Sequence, residues 1–199
     1  MKYRIDIKKC QEFYEGFFKL EKYTLKHSLF AGGMSEPIER EMFHHGNAVA
    51  ILLYDPEEDS VVFVEQFRIG AIEKGKGAWV FELVAGYIEE GESVEDVVHR
   101  EVYEESGMTV TQIEPVMNYH VNPANTSDQI QLVYAHVDST QADGIHGLKD
   151  EGEDIKVHVF KYDELNNLFS NGRLPSATPL IAIQWLQLNR DRLQTLHRR

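Results

Sequence analysis

Residues 86–108 read GYIEEGESVEDVVHREVYEESGM and carry eight carboxylates and one arginine, a net charge of −7. Ser93 is followed three residues later by Asp96, which is typical of a helix N-cap, and Gly107 stands where a helix would end. The stretch therefore predicts a helix over residues 93–106. It holds more than half of the net charge of the chain, −13, and this concentration makes it a candidate functional segment.

One face of the predicted helix begins as an apolar stripe and continues as carboxylates. At spacings of three and four residues it presents Val94, Val97, Val98, Glu101, Glu104, Glu105 and Met108. Carboxylates on a core-facing stripe must be neutralised by cations or arginines, or their pKa values must rise, because an unpaired buried charge is very costly. Arg100 can serve Glu104, four residues on, whereas Glu101 and Glu105 have no local basic partner.

Two interpretations of these carboxylates stay open at this point. A solvated, glutamate-rich helix is the common one, but the valine register and the lack of lysines four residues on argue against it. The other is a metal site. Oxygen ligands without a cysteine or a pair of histidines suit a hard divalent cation such as Mg²⁺ or Mn²⁺.

Outward from this helix, short apolar runs alternate with turn signals. They predict strands over residues 18–25, 47–54, 61–66, 78–85, 116–120, 129–137 and 157–162, and a closing helix over residues 180–192. Residues 31–34 read as a turn between two strands, and residues 38–43 are short and charged. Strands outnumber helices and the two do not alternate regularly, so the expected fold class is α+β.

Composition narrows the class of protein further. The chain has 199 residues, of which 42% are apolar, enough for one domain with an extension. A net charge of −13 argues against nucleic acid as a partner, because the phosphate backbone is held by basic surfaces. One cysteine, Cys10, is compatible with a reducing compartment, and neither a secretory signal nor an apolar run long enough to span a membrane is visible. We therefore expect a cytoplasmic protein with no membrane partner.

The order of residues in the acidic segment adds a resemblance. Gly86 is followed after five residues by Glu92, and after seven more by Arg100-Glu101-Val102-Tyr103-Glu104-Glu105-Ser106-Gly107-Met108. This pattern resembles the Nudix box, and every defined position of the box is filled. The resemblance implies an α/β/α sandwich with a mixed sheet. It also implies hydrolysis of a nucleoside diphosphate linked to another group, with divalent cations.

Further matches point to the ADP-ribose pyrophosphatase subgroup of this family. Pro123 lies 15 residues after Met108, a position that resembles a mark of the subgroup. Residues 34–35, 40–41, 66–68, 82–86, 144–148 and 182–187 are similar to it as well. The implied reaction converts ADP-ribose and water to AMP and ribose 5-phosphate. Alternatives are a hydrolase of another nucleoside diphosphate sugar, such as GDP-mannose, or a sensor that binds ADP-ribose without cleaving it.

The resemblance also implies how the metal ions are held. Two or more ions, Mg²⁺ with Mn²⁺ as the alternative, would be bound by the carbonyl of Ala85 and by the carboxylates of Glu101, Glu105, Glu104 and Glu153. Glu104 would assist as a ligand or pair with Arg100. Glu151 would be the catalytic base on a mobile acidic loop over residues 150–154, with Glu153 as the rival for that role. Without the resemblance, this loop reads as a solvated acidic turn.

Substrate-binding residues follow from the same matching. They would be Phe17, Arg40, Glu41, Arg68, Pro123 and Asp128. Phe17 has the alternative of an ordinary core aromatic, and Arg68 that of a surface ion pair. Asp128 and the residues before it depart from the glycine-containing pattern of the family, which leaves the preferred distal sugar open.

The resemblance further implies a homodimer with a shared active site. Residues 1–45 would form a β-rich dimerisation segment, and residues 46–199 the Nudix domain. In the family, the adenine pocket is built partly from the partner subunit, and Phe17 and Arg40 match residues of that pocket.

Overall fold

The computed structural model describes residues 3–74, 77–170 and 173–197. Eleven strands lie within these ranges. They are β1 (Ile5–Glu15), β2 (Lys19–His27), β3 (Ile38–His44), β4 (Ala48–Asp55), β5 (Ser60–Phe67), β6 (Trp79–Glu82), β7 (Val84–Tyr87), β8 (Gln112–His120), β9 (Gln129–His136), β10 (Ile145–His146) and β11 (Ile155–Lys161). The α-helices in the same ranges are α1 (Val94–Ser106), α2 (Leu165–Ser170) and α3 (Ala177–His197).

Contacts divide the chain into two compact units. The first comprises Met1–Asn47 with Tyr119–Ile130, and the second comprises Ala48–Asn118 with Gln131–Arg199. The first unit contains an antiparallel sheet with the order β1-β2-β3. Gly32 and Gly33 have φ values of 94° and 80° in the turn between β2 and β3, a backbone conformation that favours glycine.

The sequence did not predict β1, and it left residues 38–43 without a structure although they lie in β3. The side chains of β1 are exposed along its whole length. Because neither face of β1 is buried, the alternation of apolar and polar residues that marks a half-buried strand extends only over residues 5–8.

The second unit contains the large mixed sheet. Its order is β10-β11-β5-β4-β9-β8, with β6 paired to β5 and β7 paired to β4. The prediction of a single strand over residues 78–85 is wrong. The segment forms two strands, because β6 pairs with β5 whereas β7, after Leu83, pairs with β4. Apolar residues continue through this change of partner, so the sequence shows no turn or strand-breaking residue there.

Helices cover both faces of this sheet. Val49, Ile51 and Leu53 of β4 belong to one buried cluster with Val97, Val98 and Val102 of α1. Successive side chains of a strand point to opposite faces, so Tyr54 lies on the other face of the sheet. There the ring of Tyr54 lies next to the ring of Tyr134, which in turn lies next to the ring of Trp185 of α3. The fold is therefore the expected α+β class, an α/β/α sandwich with an N-terminal β-rich segment.

The ends of α1 confirm the prediction for the acidic helix. Ser93 and Asp96 form a reciprocal capping box, and Gly107 ends the helix with a φ of 66° and donates its N–H to the Tyr103 carbonyl at 2.9 Å. The closing helix is longer than predicted and places Pro179 in its first turn, where the missing N–H is tolerated. No helix in the described ranges has the length and apolar character that crossing a membrane would require.

Candidate active site

The site is built where β7 passes alongside α1. The carboxylate of Glu101 lies against Gly86 so closely that a Cβ on this glycine would be 1.6 Å from Glu101 Oε1. One helical turn later, Glu105 Oε2 accepts a hydrogen bond of 3.3 Å from the N–H of Ala85. The two carboxylates that the resemblance assigned to metal binding therefore both face the backbone of β7, where Ala85 is the other expected ligand.

Burial sets the electrostatics of this pair. Glu105 is only 2% exposed, and burial raises its pKa well above the usual range, with a further rise from the charge of Glu101. Burial also raises the pKa of Glu101 to about 7, although Arg100 opposes the shift. The environment of both carboxylates thus disfavours their charged forms unless a cation binds between them.

Arg100 ties the helix to the loop that precedes it. Its Nε and Nη2 each donate to Glu92 at 2.9 Å, its Nη1 donates to Glu101 at 2.5 Å, and its Nη2 donates to the Tyr87 carbonyl at 3.1 Å. Glu104 is a distant partner at 3.5 Å. The expectation that Arg100 chiefly serves Glu104 and leaves Glu101 without a basic partner is wrong. Helical spacing alone could not reveal the contact of Arg100 with Glu92, because Glu92 lies before the helix.

The donor set fits a hard divalent cation. Glu105 is a buried carboxylate that, within the described part of the chain, accepts one long hydrogen bond, from Ala85, and Glu101 lies beside the same stretch of backbone. Carboxylate oxygens and a backbone carbonyl are the ligands that Mg²⁺ and Mn²⁺ take in proteins. A cation would also remove the burial penalty that raises both pKa values.

The chain that leads into the acidic loop is hydrogen-bonded to α1. Gly147 donates its N–H to the carbonyl of Glu104 at 2.9 Å, and its φ of 98° brings the chain around so tightly that a Cβ would be 2.7 Å from Glu153 Cβ. Glu153 Oε2 accepts from the N–H of Leu148 at 3.0 Å. The charge of Glu153 contributes to the raised pKa of both Glu101 and Glu105, so Glu153 belongs electrostatically to the carboxylate cluster.

Glu151 is placed differently from Glu153. It ends a short 3₁₀ turn over Lys149–Glu151, is exposed, and is followed by Gly152 with a φ of 73°. Gly147 and Gly152 therefore flank this turn, and both occupy conformations that favour glycine.

His146 is a residue of the site whose role the sequence did not reveal. A Cβ on Gly107 would be 2.6 Å from His146 Cε1, so the imidazole packs on the glycine that ends α1. Its Nε2 lies 2.7 Å from the carbonyl of Asp143. The signal was present, since residues 144–148 resemble the family, but contact with the box glycine could be read only from the fold.

Arg68 lies at the end of β5 near the same carboxylates. Its Nε donates to Glu82 Oε2 at 2.7 Å, so the ion pair considered for it is present. Its charge also acts on Glu105, whose pKa it lowers against the effect of burial. The guanidinium is half-exposed and can still bind an anion.

The remaining expected substrate residues lie in the first unit. A cavity of about 560 Å³ is lined by Glu15, Gly16, Phe17, Phe18, Lys19, His44, His45, Gly46, Asn47, Ser127 and Gln129. The rings of Phe17 and Phe18 lie 4.9 Å and 4.3 Å from that of His45. Asp128 accepts a hydrogen bond of 3.0 Å from the N–H of His45, which positions a lining residue.

Other expected residues are not brought to this cavity. Arg40 and Glu41 lie on β3 and are exposed, and neither lines the cavity among the described residues. Arg40 Nη1 donates to the neighbouring carbonyl of Glu39 at 2.7 Å. Pro123 is exposed in the turn between β8 and β9.

Comparison with known proteins agrees with this geometry. The sequence model of the NUDIX domain matches residues 44–180. ADP-ribose pyrophosphatase of Escherichia coli strain K12 is 43% identical over 190 residues, covering 96% of this chain and 91% of the relative. ADP-ribose pyrophosphatase of Haemophilus influenzae is 45% identical over 193 residues, covering 96% and 89%.

Two more distant relationships complete the comparison. GDP-mannose pyrophosphatase of Yersinia pestis is 27% identical over 192 residues, covering 95% of this chain and 94% of the relative. A solved structure, described as an ADP compounds hydrolase, superposes with a TM-score of 0.72 at 18% identity and covers 98% of this chain and 97% of its own. At that identity, the structural likeness supports the fold alone.

Proposed function

The chain belongs to the Nudix family, and from this premise we propose that it hydrolyses the pyrophosphate bond of ADP-ribose to AMP and ribose 5-phosphate with divalent cations. The observation that carries the proposal is the pair formed by the partly buried Glu101 and the buried Glu105 against the backbone of β7. Two relatives above 40% identity bear the name ADP-ribose pyrophosphatase, which supports ADP-ribose as the substrate.

The metal ligands of the proposal are Ala85, Glu101 and Glu105, with Glu104 and Glu153 as further carboxylates. Two or more Mg²⁺ ions are proposed, with Mn²⁺ as a substitute. When bound, such ions neutralise the phosphate oxygens and lower the pKa of a coordinated water. The chain supplies the rigid frame, because Glu101 and Glu105 stand on one helix that is capped at both ends.

Glu151 is proposed to accept the proton of the attacking water. It lies on an exposed turn bounded by glycines, which supports a side chain that reaches the substrate as the loop closes. Glu153 is tied to the Leu148 N–H and acts on the buried carboxylates, which supports a ligand role instead. Arg68 is proposed to hold a phosphate, exchanging its partner Glu82 for the substrate.

The adenosine end of the substrate is proposed to bind the cavity that Phe17 lines. Aromatic rings offer stacking surfaces for a base, and Phe17 is 78% exposed. Arg40, Glu41, Pro123 and Asp128 are proposed as further contacts. Among the described residues, Arg40, Glu41 and Pro123 do not line this cavity, which supports a site completed by the partner subunit.

A homodimer formed through residues 1–45 is therefore part of the proposal. Large apolar side chains in this segment stand in water in the single chain, among them Ile5, Ile7, Phe13, Tyr14 and Phe30. Contiguous exposed apolar surface is typical of protein interfaces. Sedimentation at micromolar concentration should give a dimer. A monomer with full activity would contradict shared sites.

A cytoplasmic location is proposed from the single free thiol, Cys10.

Comparing kcat/KM on ADP-ribose, ADP-glucose and GDP-mannose in Mg²⁺ tests the substrate. We expect ADP-ribose to be preferred and to yield AMP and ribose 5-phosphate. Preference for GDP-mannose would favour the more distant relative instead. Tight binding of ADP-ribose without turnover would identify a sensor.

A further inference from the structure

Three potential metal ligands converge at a place that the proposed reaction does not use. Glu57 lies in the turn between β4 and β5, His136 ends β9, and His197 ends α3. One ligand atom from each side chain lies within 4.8 Å of the other two. Ala135 of β9 packs in the cluster around α1, so His136 projects from the opposite face of the sheet, away from the box carboxylates.

His136 already contacts both of the other side chains. His136 Nε2 lies 3.1 Å from Glu57 Oε2, and the rings of His136 and His197 have centroids 4.1 Å apart. Atoms that share a tetrahedral ion at about 2.0–2.2 Å stand roughly 3.4 Å apart. Small side-chain adjustments would therefore bring these ligands onto one ion.

His136 is held in the orientation that a ligand needs. Its Nδ1 lies 2.8 Å from Thr111 Oγ1. A hydroxyl can donate or accept, so Thr111 satisfies Nδ1 in either tautomer while Nε2 faces the Glu57 carboxylate. A fixed partner for the second ring nitrogen is characteristic of metal-binding histidines.

The turn that carries Glu57 is held in place by Asp55. Asp55 Oδ1 accepts from the N–H groups of Glu57 and Glu58, each at 3.0 Å, and Asp55 Oδ2 accepts from the N–H of Ser139 at 2.8 Å. Asp55 is buried, so this turn is anchored to the sheet. The Glu57 carboxylate stands at the rim, half-exposed, where an ion can enter.

His197 supplies an independent observation. Its Nε2 is shielded from solvent and has no hydrogen-bond partner within the part of the chain that the structure describes. A buried polar atom without a partner is costly, and a bound water or ion is one way to satisfy it. The neighbouring imidazole and carboxylate make an ion the better match here.

We propose that Glu57, His136 and His197 bind one transition-metal ion of the Zn²⁺ class and thereby fasten the end of α3 to the sheet. Two imidazoles and one carboxylate suit Zn²⁺, Co²⁺, Ni²⁺ or Cu²⁺, with water in the fourth position. Mg²⁺ prefers oxygen ligands, so it does not compete for this site. The ion is structural and separate from the catalytic cations.

Calorimetric titration with Zn²⁺ tests the proposal. The protein is tag-free and stripped of metal with a chelator, and excess Mg²⁺ is present to occupy the carboxylate site. We expect one tightly bound Zn²⁺ per chain. His136→Ala and His197→Ala should each weaken its binding by at least about tenfold, as loss of a ligand does. His99→Ala is the matched control, because His99 is an exposed histidine 4.0 Å from Glu95 on α1.

Co²⁺ gives a second readout that does not depend on turnover. Bound Co²⁺ should show the intense visible absorption of a four-coordinate site with nitrogen ligands in wild type and His99→Ala, and lose it in His197→Ala. Zn²⁺ should also raise the Tm of wild type more than that of Glu57→Gln. Unchanged Zn²⁺ binding in both histidine variants, or complete displacement of Zn²⁺ by Mg²⁺, would overturn the proposal.

Discussion

The carboxylate of Glu101 occupies the space that a side chain at Gly86 would need, with Oε1 only 1.6 Å from the position of a Cβ. Gly86 lies in β7, and its backbone does not have the left-handed conformation that favours glycine. The glycine that opens the box is therefore required for space, because it lets a helix carboxylate approach the strand.

Gly86→Ala should displace Glu101 and weaken the metal site. We expect the Mg²⁺ concentration for half-maximal activity to rise about 10–100-fold, as when the support of a metal ligand is lost. Gly70→Ala is the control, since a Cβ there meets nothing within 4 Å. Magnesium titrations of both variants make the measurement. An unshifted Mg²⁺ dependence in Gly86→Ala would show that Glu101 is not a ligand.

The raised pKa of Glu101 predicts a pH-dependent stability without metal. The unfolded carboxyl titrates near 4.5 and the folded one at about 7, so between these values the folded state keeps a proton that the unfolded state has lost. The free energy of unfolding should therefore fall as pH rises through this window, by at most about 3 kcal/mol for this group, since solvent screening of the partly exposed carboxylate reduces the effect.

Urea unfolding in EDTA at pH 5 and pH 8 measures this effect, with Glu101→Gln as the control. The variant should lose a correspondingly smaller amount of stability between the two pH values, and saturating Mg²⁺ should reduce the loss in wild type. Equal losses in wild type and variant would mean that Glu101 is ionised at neutral pH in the folded protein.

The sequence predicted the parts of this site that obey local rules. Ser93, Asp96 and Gly107 defined the ends of α1 because capping depends on residues within one turn. The stripe of valines followed by Glu101 and Glu105 predicted carboxylates facing the core, and Glu105 is indeed buried.

Relationships between distant segments could not be predicted in the same way. The pairing of Arg100 with Glu92, the change of partner strand at Leu83 and the packing of His146 on Gly107 all depend on how separate elements meet. Periodicity carries no information on such contacts, and in β1 the alternation extends only over residues 5–8 because neither of its faces is buried.

The two loop glutamates should respond differently to amide substitution. Glu151→Gln should lower kcat about 10²–10⁴-fold, the range for loss of a general base, with the KM for ADP-ribose and the Mg²⁺ dependence nearly unchanged. Glu153→Gln should raise the Mg²⁺ requirement instead. If Glu153→Gln loses more kcat than Glu151→Gln and keeps its Mg²⁺ dependence, Glu153 is the base.

Gly147, just before the acidic loop, should tolerate a side chain poorly. Gly147→Ala adds a clash with Glu153 Cβ, at 2.7 Å, to the strain of a left-handed backbone. Gly32→Ala shares the strain, about 1–2 kcal/mol, but meets nothing within 4 Å. Urea unfolding should show the larger destabilisation for Gly147→Ala, together with a lower kcat. Equal destabilisation with normal kcat would show that the packing against Glu153 is unimportant.

Hydrolysis of ADP-ribose by Glu105→Gln at saturating Mg²⁺ tests the central role of the Glu101–Glu105 carboxylate pair most directly. Glutamine keeps the shape of the side chain and removes the burial penalty of its charge, so the fold should survive, as a Tm at or above that of wild type would verify. We predict that kcat falls by at least about 10²-fold, a typical loss when one electrostatic catalytic group is removed. Near-normal turnover by a folded Glu105→Gln variant would contradict the assignment of the metal site.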